Sequence, residues 1–183
     1  MQPLFIATQK FDPSDGEKWR SYVGWANLPQ LVEVVSLDGI LCPRLVGELT
    51  DEDWLHNVQE NYLLNYFYDL DYLLRRVADV SRRNILGFYR NPDHHTEVPP
   101  AAGPFFFVGY DLVEQGGEIS ALTNCGGFPE TFSNDDLNSC GLLSDFARAI
   151  EVRRLLIANN PGEPHANCDL YAIWRLADRG NDS

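Results

Sequence analysis

The feature that most constrains the fold is a long stretch of helical periodicity between Thr50 and Val80. Apolar residues recur in it at steps of three and four, which places them on one face of an α-helix. These residues are Leu55, Val58, Tyr62, Tyr66, Leu70, Leu73, Val77 and Val80. Thr50 stands where an N-cap is expected, Asp53 stands where a capping-box carboxylate would bond back to it, and no Gly or Pro interrupts the stretch. The pattern therefore predicts one long helix over about residues 51–80.

Short runs of β-branched and aromatic residues predict strands around this helix. The run CDLYAIWRL (168–176) alternates with the two-residue period of a strand. PFFFVGYDLV and EISALTN flank a glycine-containing connection, which predicts a β-hairpin over 104–124. Further strands are predicted for LVEVVSL (31–37), NILGFYR (84–90) and PLFIAT (3–8).

A second helix is predicted over about 145–159, with Ser144 as its N-cap. A short helix is expected near residues 15–25, and a single capped turn in SNDDLN (133–138). Because the hairpin argues against a purely parallel sheet, these elements together predict an α+β fold. We expect a mostly antiparallel sheet of about five strands packed against the long helix and the second helix. The length is typical of one domain, so residues 1–183 are expected to fold as a single domain.

The sequence contains no stretch that approaches the ~20 apolar residues of a membrane span. MQPLFIATQK lacks the basic start and long apolar run of a secretion signal, so we expect a cytoplasmic protein. In that compartment the cysteines should be reduced, and no two of them form a Cys-x-x-Cys pair. They are Cys42, Cys125, Cys140 and Cys168.

The formal net charge of −13 is concentrated in one segment, because no Lys or Arg occurs between Arg90 and Arg148. The acidic residues of that segment are Asp93, Glu97, Asp111, Glu114, Glu118, Glu130, Asp135, Asp136 and Asp145. A negative field repels phosphate backbones and anionic lipid head groups, which argues against binding to nucleic acid or to a membrane surface. A basic protein is the compatible partner, although the charge could also serve solubility alone. The residues expected to bind such a partner are Asp111, Glu114, Glu118, Glu130, Asp135 and Asp136.

The stretch TNCGGFPETF (123–132) suggests a catalytic thiol, because Cys125 follows a predicted strand and precedes two glycines. A nucleophilic thiol needs exposure at the end of a rigid element and a base within hydrogen-bond reach. The glycine amides could also bind an oxyanion. His165 is the candidate base, and Asn124 or Asp169 could orient it. The alternative is a buried thiol beside a tight turn.

A zinc site would draw on Cys125, Cys140, His165 and Cys168, which are of the right residue types. Only His165 and Cys168 have chelating spacing, whereas structural zinc sites use two closely spaced pairs. The adjacent histidines of DHHTE (93–97) point in different directions on an extended loop, so they chelate poorly. Phosphate-loop, dinucleotide-binding and zinc-protease motifs do not occur. We therefore predict no metal and no cofactor.

Two functional hypotheses follow from these patterns. The first is a non-enzymatic binding domain whose acidic face engages a basic protein, as a bacterial regulatory or toxin-neutralising protein would. The second is a small hydrolase or transferase that uses Cys125 and His165.

Overall fold

The computed structural model describes residues 2–46, 52–77, 83–95, 97–116, 118–124, 128 and 130–177. Six strands occur among these residues: β1 Leu4–Gln9, β2 Val58–Glu60, β3 Asn65–Phe67, β4 Arg83–Arg90, β5 Phe105–Glu114 and β6 Cys168–Leu176. They form one antiparallel sheet in the order β2-β3-β1-β4-β6-β5. The predicted α+β class with an antiparallel sheet is confirmed, and the sheet has six strands in place of about five.

The same part of the chain contains four α-helices: α1 Glu17–Ala26, α2 Glu52–Asn57, α3 Leu70–Arg76 and α4 Phe146–Asn159. The prediction of a second helix over about 145–159 is confirmed by α4. Its N-cap is Asp145 and not Ser144, because the Asp145 carboxylate accepts a hydrogen bond from the backbone N–H of Arg148 at 2.7 Å. Among the described helices, none is long and apolar enough to cross a membrane.

The single long helix predicted over 51–80 is wrong. Residues 52–76 form α2, the short strands β2 and β3, and α3, while Thr50 and residues 78–80 lie outside the described part of the chain. The turn between the strands is closed by a hydrogen bond from Asn61 N to Leu64 O. Tyr62, which the helical pattern places on the buried face, is 79% exposed at this turn.

The hairpin replaces the helix because pairing with β1 buries both of its faces. Val58 lies opposite Phe67, and both side chains are buried. Tyr66 points to the other side of the sheet, where its ring packs on Phe88 at 4.9 Å. Asparagine recurs along this stretch, and its side chain favours turns and caps over helix interiors. Burial in the sheet therefore outweighs a helical pattern that local propensity supports only weakly.

The hairpin predicted over 104–124 is present only in part. Its first half forms β5, but the strand that pairs with β5 is β6. The second half of the predicted hairpin is reduced to one bridge between Val113 and Ser120. Beside this bridge Glu114 N donates to Ile119 O at 2.9 Å and Ala121 N donates to Leu112 O at 2.8 Å, while the carbonyl of Glu118, which has a positive φ of 53°, accepts a hydrogen bond from Gly39 N at 2.9 Å. The segment after β5 thus contacts both β5 and the loop around Gly39.

The strand predicted at 31–37 is also replaced by irregular structure. Val34 makes one bridge to Phe11, and Val35 N donates to Cys140 O at 3.1 Å, so the backbone is satisfied by separate segments. Leu31, Val34, Val35 and Leu37 are nevertheless buried, whereas Val32 is 60% exposed. The β-branched composition of this stretch reflects burial against the sheet and not strand pairing.

Both faces of the sheet are covered. Leu73 of α3 packs on Phe5 and Ile85, and α4 contributes Val152 and Leu156 to the core beside β6. On the opposite face Val35, Leu37, Leu64 and Leu142, all outside regular structure, cover Ile6, Leu86, Phe88 and Ile173. The irregular segments that cover this face carry most of the polar groups described below.

Candidate functional site

Asp111 in β5 and Asp38 in the neighbouring loop are two fully buried carboxylates linked by serines. Ser36 Oγ donates a short hydrogen bond to Asp111 Oδ2, and Ser120 Oγ donates to Asp111 Oδ1 at 2.7 Å. Ser36 Oγ also accepts from Asp38 N at 3.0 Å, and Ser120 N donates to Asp38 Oδ2 at 2.9 Å. Ser120 therefore bridges the two carboxylates, and Ser36 joins the Asp111 carboxylate to the backbone of Asp38.

The Asp38 carboxylate organises two loops. Its Oδ1 accepts hydrogen bonds from the backbone N–H groups of Ile40 and Leu41 at 2.9 and 2.8 Å. Its Oδ2 accepts from Asn124 Nδ2 at 3.0 Å, in addition to Ser120 N. Asn124, predicted to orient the candidate base His165, is thus engaged with Asp38.

Burial raises the pKa of Asp111 to about 6, and the nearby charge of Asp38 acts in the same direction. Hydrogen bonds from the two serines oppose this shift but do not cancel it. A carboxylate in this position holds the fold together and cannot reach a partner protein. The expectation that Asp111 contributes to an exposed binding face is therefore corrected.

Glu118 is likewise 3% exposed and cannot contribute to a binding face. Its Oε2 accepts a hydrogen bond from Leu63 N at 2.8 Å. Burial raises its pKa, although its backbone hydrogen bonds work in the opposite direction. Glu118 thus joins the 61–64 turn to the loop around Gly39.

His165 is oriented by Glu114, a residue that sequence reasoning assigned to partner binding. The Nδ1 atom of His165 lies 2.9 Å from Glu114 Oε2, and the imidazole side chain is 43% exposed. A carboxylate at Nδ1 selects the tautomer and orientation of a histidine that acts as a base. Cys125 lies outside the described residues, so its pairing with His165 stays a prediction.

Asp169, the other residue predicted to orient His165, instead forms an ion-pair centre at one end of the sheet. Its buried carboxylate accepts from Arg90 Nε at 2.7 Å and from Arg90 Nη2, from Asn91 Nδ2 at 2.7 Å and from Gln115 Nε2 at 3.0 Å. Arg153 Nη2 of α4 lies 3.6 Å away. Burial alone would raise the pKa of Asp169, but the hydrogen bonds of Asn91 and Gln115 and the pairing with Arg90 lower it.

The cysteines and histidines considered for zinc have other contacts. Cys168 is buried in β6, and its Sγ lies 3.0 Å from the carbonyl oxygen of His165. Cys140 is half-buried. Within the described residues, no three His, Cys, Asp or Glu side chains come close enough together to hold a metal ion.

A separate acidic region forms where the turn at 130–136 lies against the first half of α4. The guanidinium of Arg148 joins the two segments: its Nη2 is 2.8 Å from Asp136 Oδ2, and its Nη1 is 2.8 Å from Glu151 Oε2. Hydrogen bonds from Arg148 lower the pKa of Asp136. We call the five carboxylates of this region the α4 acidic surface: Glu130, Asp135, Asp136, Asp145 and Glu151.

Four of these carboxylates are exposed, and Asp136 is half-buried. Arg148 is the one Lys or Arg of the sequence between Arg90 and Arg153, and its guanidinium pairs with two of the five carboxylates, Asp136 and Glu151. Sequence reasoning identified Glu130, Asp135 and Asp136 as binding residues but not Asp145, and it missed Glu151. The available signal was its position three residues after Arg148 in a predicted helix, which brings the two side chains together.

Comparisons with protein-family models, with curated proteins and with solved structures each find no match for this chain. A functional conclusion therefore depends on the geometry and charge of the residues themselves.

Proposed function

We propose that this protein is a binding domain that recognises a basic protein through the α4 acidic surface. One observation carries the proposal: the turn at 130–136 and the first half of α4 together carry five carboxylates, and Arg148, which joins the two segments, already pairs with Asp136 and Glu151. Glu130, Asp135 and Asp145 are exposed to solvent. The negative field of these carboxylates favours encounter with a Lys- and Arg-rich surface and disfavours anionic partners.

The surface is supported by a rigid framework, which favours binding because little conformational entropy is lost on association. Ser133 N donates to Asp136 Oδ2 at 2.8 Å and closes a capping box around the 134–136 turn. On the other side of the surface, α4 is anchored by buried Ala149 and Val152. The carboxylates are therefore presented in a defined arrangement before any partner arrives.

The class of partner follows from this chemistry. A basic toxin or regulatory protein that binds nucleic acid would present a surface of the complementary sign, and the acidic domain would neutralise it. Association driven by such charges is fast at low salt and weakens as the ionic strength rises.

Charge-neutralising substitutions test the proposal. We expect the combination Glu130→Gln, Asp135→Asn and Glu151→Gln to weaken binding of a fluorescently labelled oligoarginine peptide by about 10-fold or more, measured by anisotropy at low salt. The matched control removes three exposed carboxylates elsewhere, on α2 and α3: Glu52→Gln, Asp53→Asn and Asp71→Asn. Equal loss of binding in both variants would show that net charge alone is responsible, and the proposal would be rejected.

A second candidate function, catalysis by Cys125 and His165, is favoured by one observation. Glu114 holds Nδ1 of His165 at 2.9 Å and leaves the imidazole partly exposed, the arrangement of an oriented base. On this hypothesis His165 lowers the pKa of the Cys125 thiol and accepts its proton.

A further inference from the structure

Trp25 is the feature of this region that the charge argument does not explain. It lies in the last turn of α1 and is 62% exposed. Tryptophan is highly buried on average, because its large apolar ring is costly to leave in water. At binding surfaces it is among the residues that contribute most to affinity.

The end of α1 is joined to the α4 acidic surface by two hydrogen bonds on one residue. Asn134 Nδ2 donates to Asn27 O at 2.5 Å, and Gln30 Nε2 donates to Asn134 O at 2.8 Å. Trp25 precedes Asn27 by two positions, and Asp135 directly follows Asn134. The end of α1, which carries the exposed Trp25, is therefore in contact with the turn that carries the exposed Asp135.

The indole of Trp25 lies near the ring of a residue one turn earlier in α1. Its ring lies 6.5 Å from the ring of Tyr22, whose hydroxyl donates to the backbone carbonyl of Thr123 at 2.8 Å. The C-terminal end of α1 also lies here, and the negative end of a helix dipole favours a cation. The position therefore combines an aromatic face, a carboxylate and a favourable backbone dipole.

We infer that Trp25 and Asp135 together bind an arginine side chain of the basic partner. The planar guanidinium stacks on the indole and donates hydrogen bonds to the carboxylate, which a lysine ammonium does less well. This inference rests on the proposed function, since it concerns an extension of the same surface. It adds the identity of the recognised side chain and names Trp25 as the residue that determines specificity.

The test compares oligoarginine and oligolysine peptides of equal length by fluorescence anisotropy at low salt. We expect the wild-type protein to bind oligoarginine roughly tenfold more tightly. Trp25→Ala should weaken oligoarginine binding by about 30-fold and change oligolysine binding much less. Alanine favours helix, so the variant is expected to fold, which circular dichroism will check. The matched control is Leu55→Ala, which truncates a side chain that is 72% exposed on α2 and should change neither affinity.

The outcomes separate this inference from the proposed function. If Trp25→Ala leaves oligoarginine affinity unchanged while the triple charge variant lowers it, the inference is overturned and the proposed function stands. Equal losses for both peptides would show a non-selective apolar contact and would also overturn it. If oligoarginine does not bind the wild-type protein, both proposals fail.

Discussion

Replacing Asp111 with asparagine tests whether the buried carboxylate network controls how stability depends on pH. Burial raises the pKa of Asp111 from an ordinary value of 3.8 to about 6. The Asp111 carboxyl group therefore binds a proton more tightly in the native protein than in the unfolded chain. As the pH rises from below 4 to above 6, the free energy of unfolding falls, because the native state must accept an unfavourable buried charge on Asp111.

The magnitude follows from the size of the shift. One pKa unit corresponds to 1.36 kcal/mol, so the Asp111 contribution amounts to about 3 kcal/mol over the full range. About 2 kcal/mol of it falls between pH 4.5 and pH 7.5. An asparagine does not ionise, so this contribution is absent from the variant. The amide of the asparagine keeps one oxygen that accepts the Ser120 hydrogen bond, but it has no second oxygen to accept the hydrogen bond from Ser36. The loss of that hydrogen bond lowers the free energy of unfolding by an amount that does not vary with pH.

The assay is urea unfolding of the wild-type protein and of Asp111→Asn at intervals between pH 4.5 and pH 7.5. We expect the stability of the variant relative to the wild type to rise by about 2 kcal/mol across this range. Contributions of carboxylates outside this network, such as Asp169, occur in both proteins and cancel in the difference. Asp135→Asn, which removes an exposed carboxylate, is the control and should give a nearly constant difference. A constant difference for Asp111→Asn would refute the reasoning.

Two further predictions concern His165 and α4. If His165 activates Cys125, iodoacetamide should alkylate Cys125 faster at neutral pH in the wild type than in His165→Gln, as followed by peptide mass spectrometry. Glu114→Gln should give an intermediate rate. Identical alkylation rates in all three proteins would exclude the catalytic pair. Asp145→Ala should destabilise the protein by about 1 kcal/mol in urea unfolding, because the N-cap of α4 is lost. Ser144→Ala should have almost no effect on the free energy of unfolding. A larger loss of stability in Ser144→Ala than in Asp145→Ala would contradict Asp145 as the N-cap.

The elements that local patterns determine were predictable from the sequence. The run at 168–176 became β6 with its alternation intact: Leu170, Ala172 and Trp174 lie in one core cluster, and Tyr171 and Ile173 in another. The second helix became α4, because its apolar spacing and its cap are encoded within one short stretch. In contrast, the helical pattern at 51–80 does not reveal the hairpin of β2 and β3 at 58–67, which depends on the pairing of β3 with the distant strand β1.

The candidate site also combines a feature that the sequence determines with features that only the tertiary structure determines. The excess of acidic residues after Arg90 is a property of the sequence, and it predicts a negative surface without reference to any fold. Which carboxylates form that surface was decided by tertiary structure, because burial depends on donors that are distant along the chain. Ser36 and Ser120 donate hydrogen bonds to the buried Asp111 carboxylate, Leu63 donates one to Glu118, and Asn134 joins the 134–136 turn to the end of α1 at Asn27. A carboxylate can be buried only where the folded chain supplies such hydrogen bonds, and no local pattern reveals them.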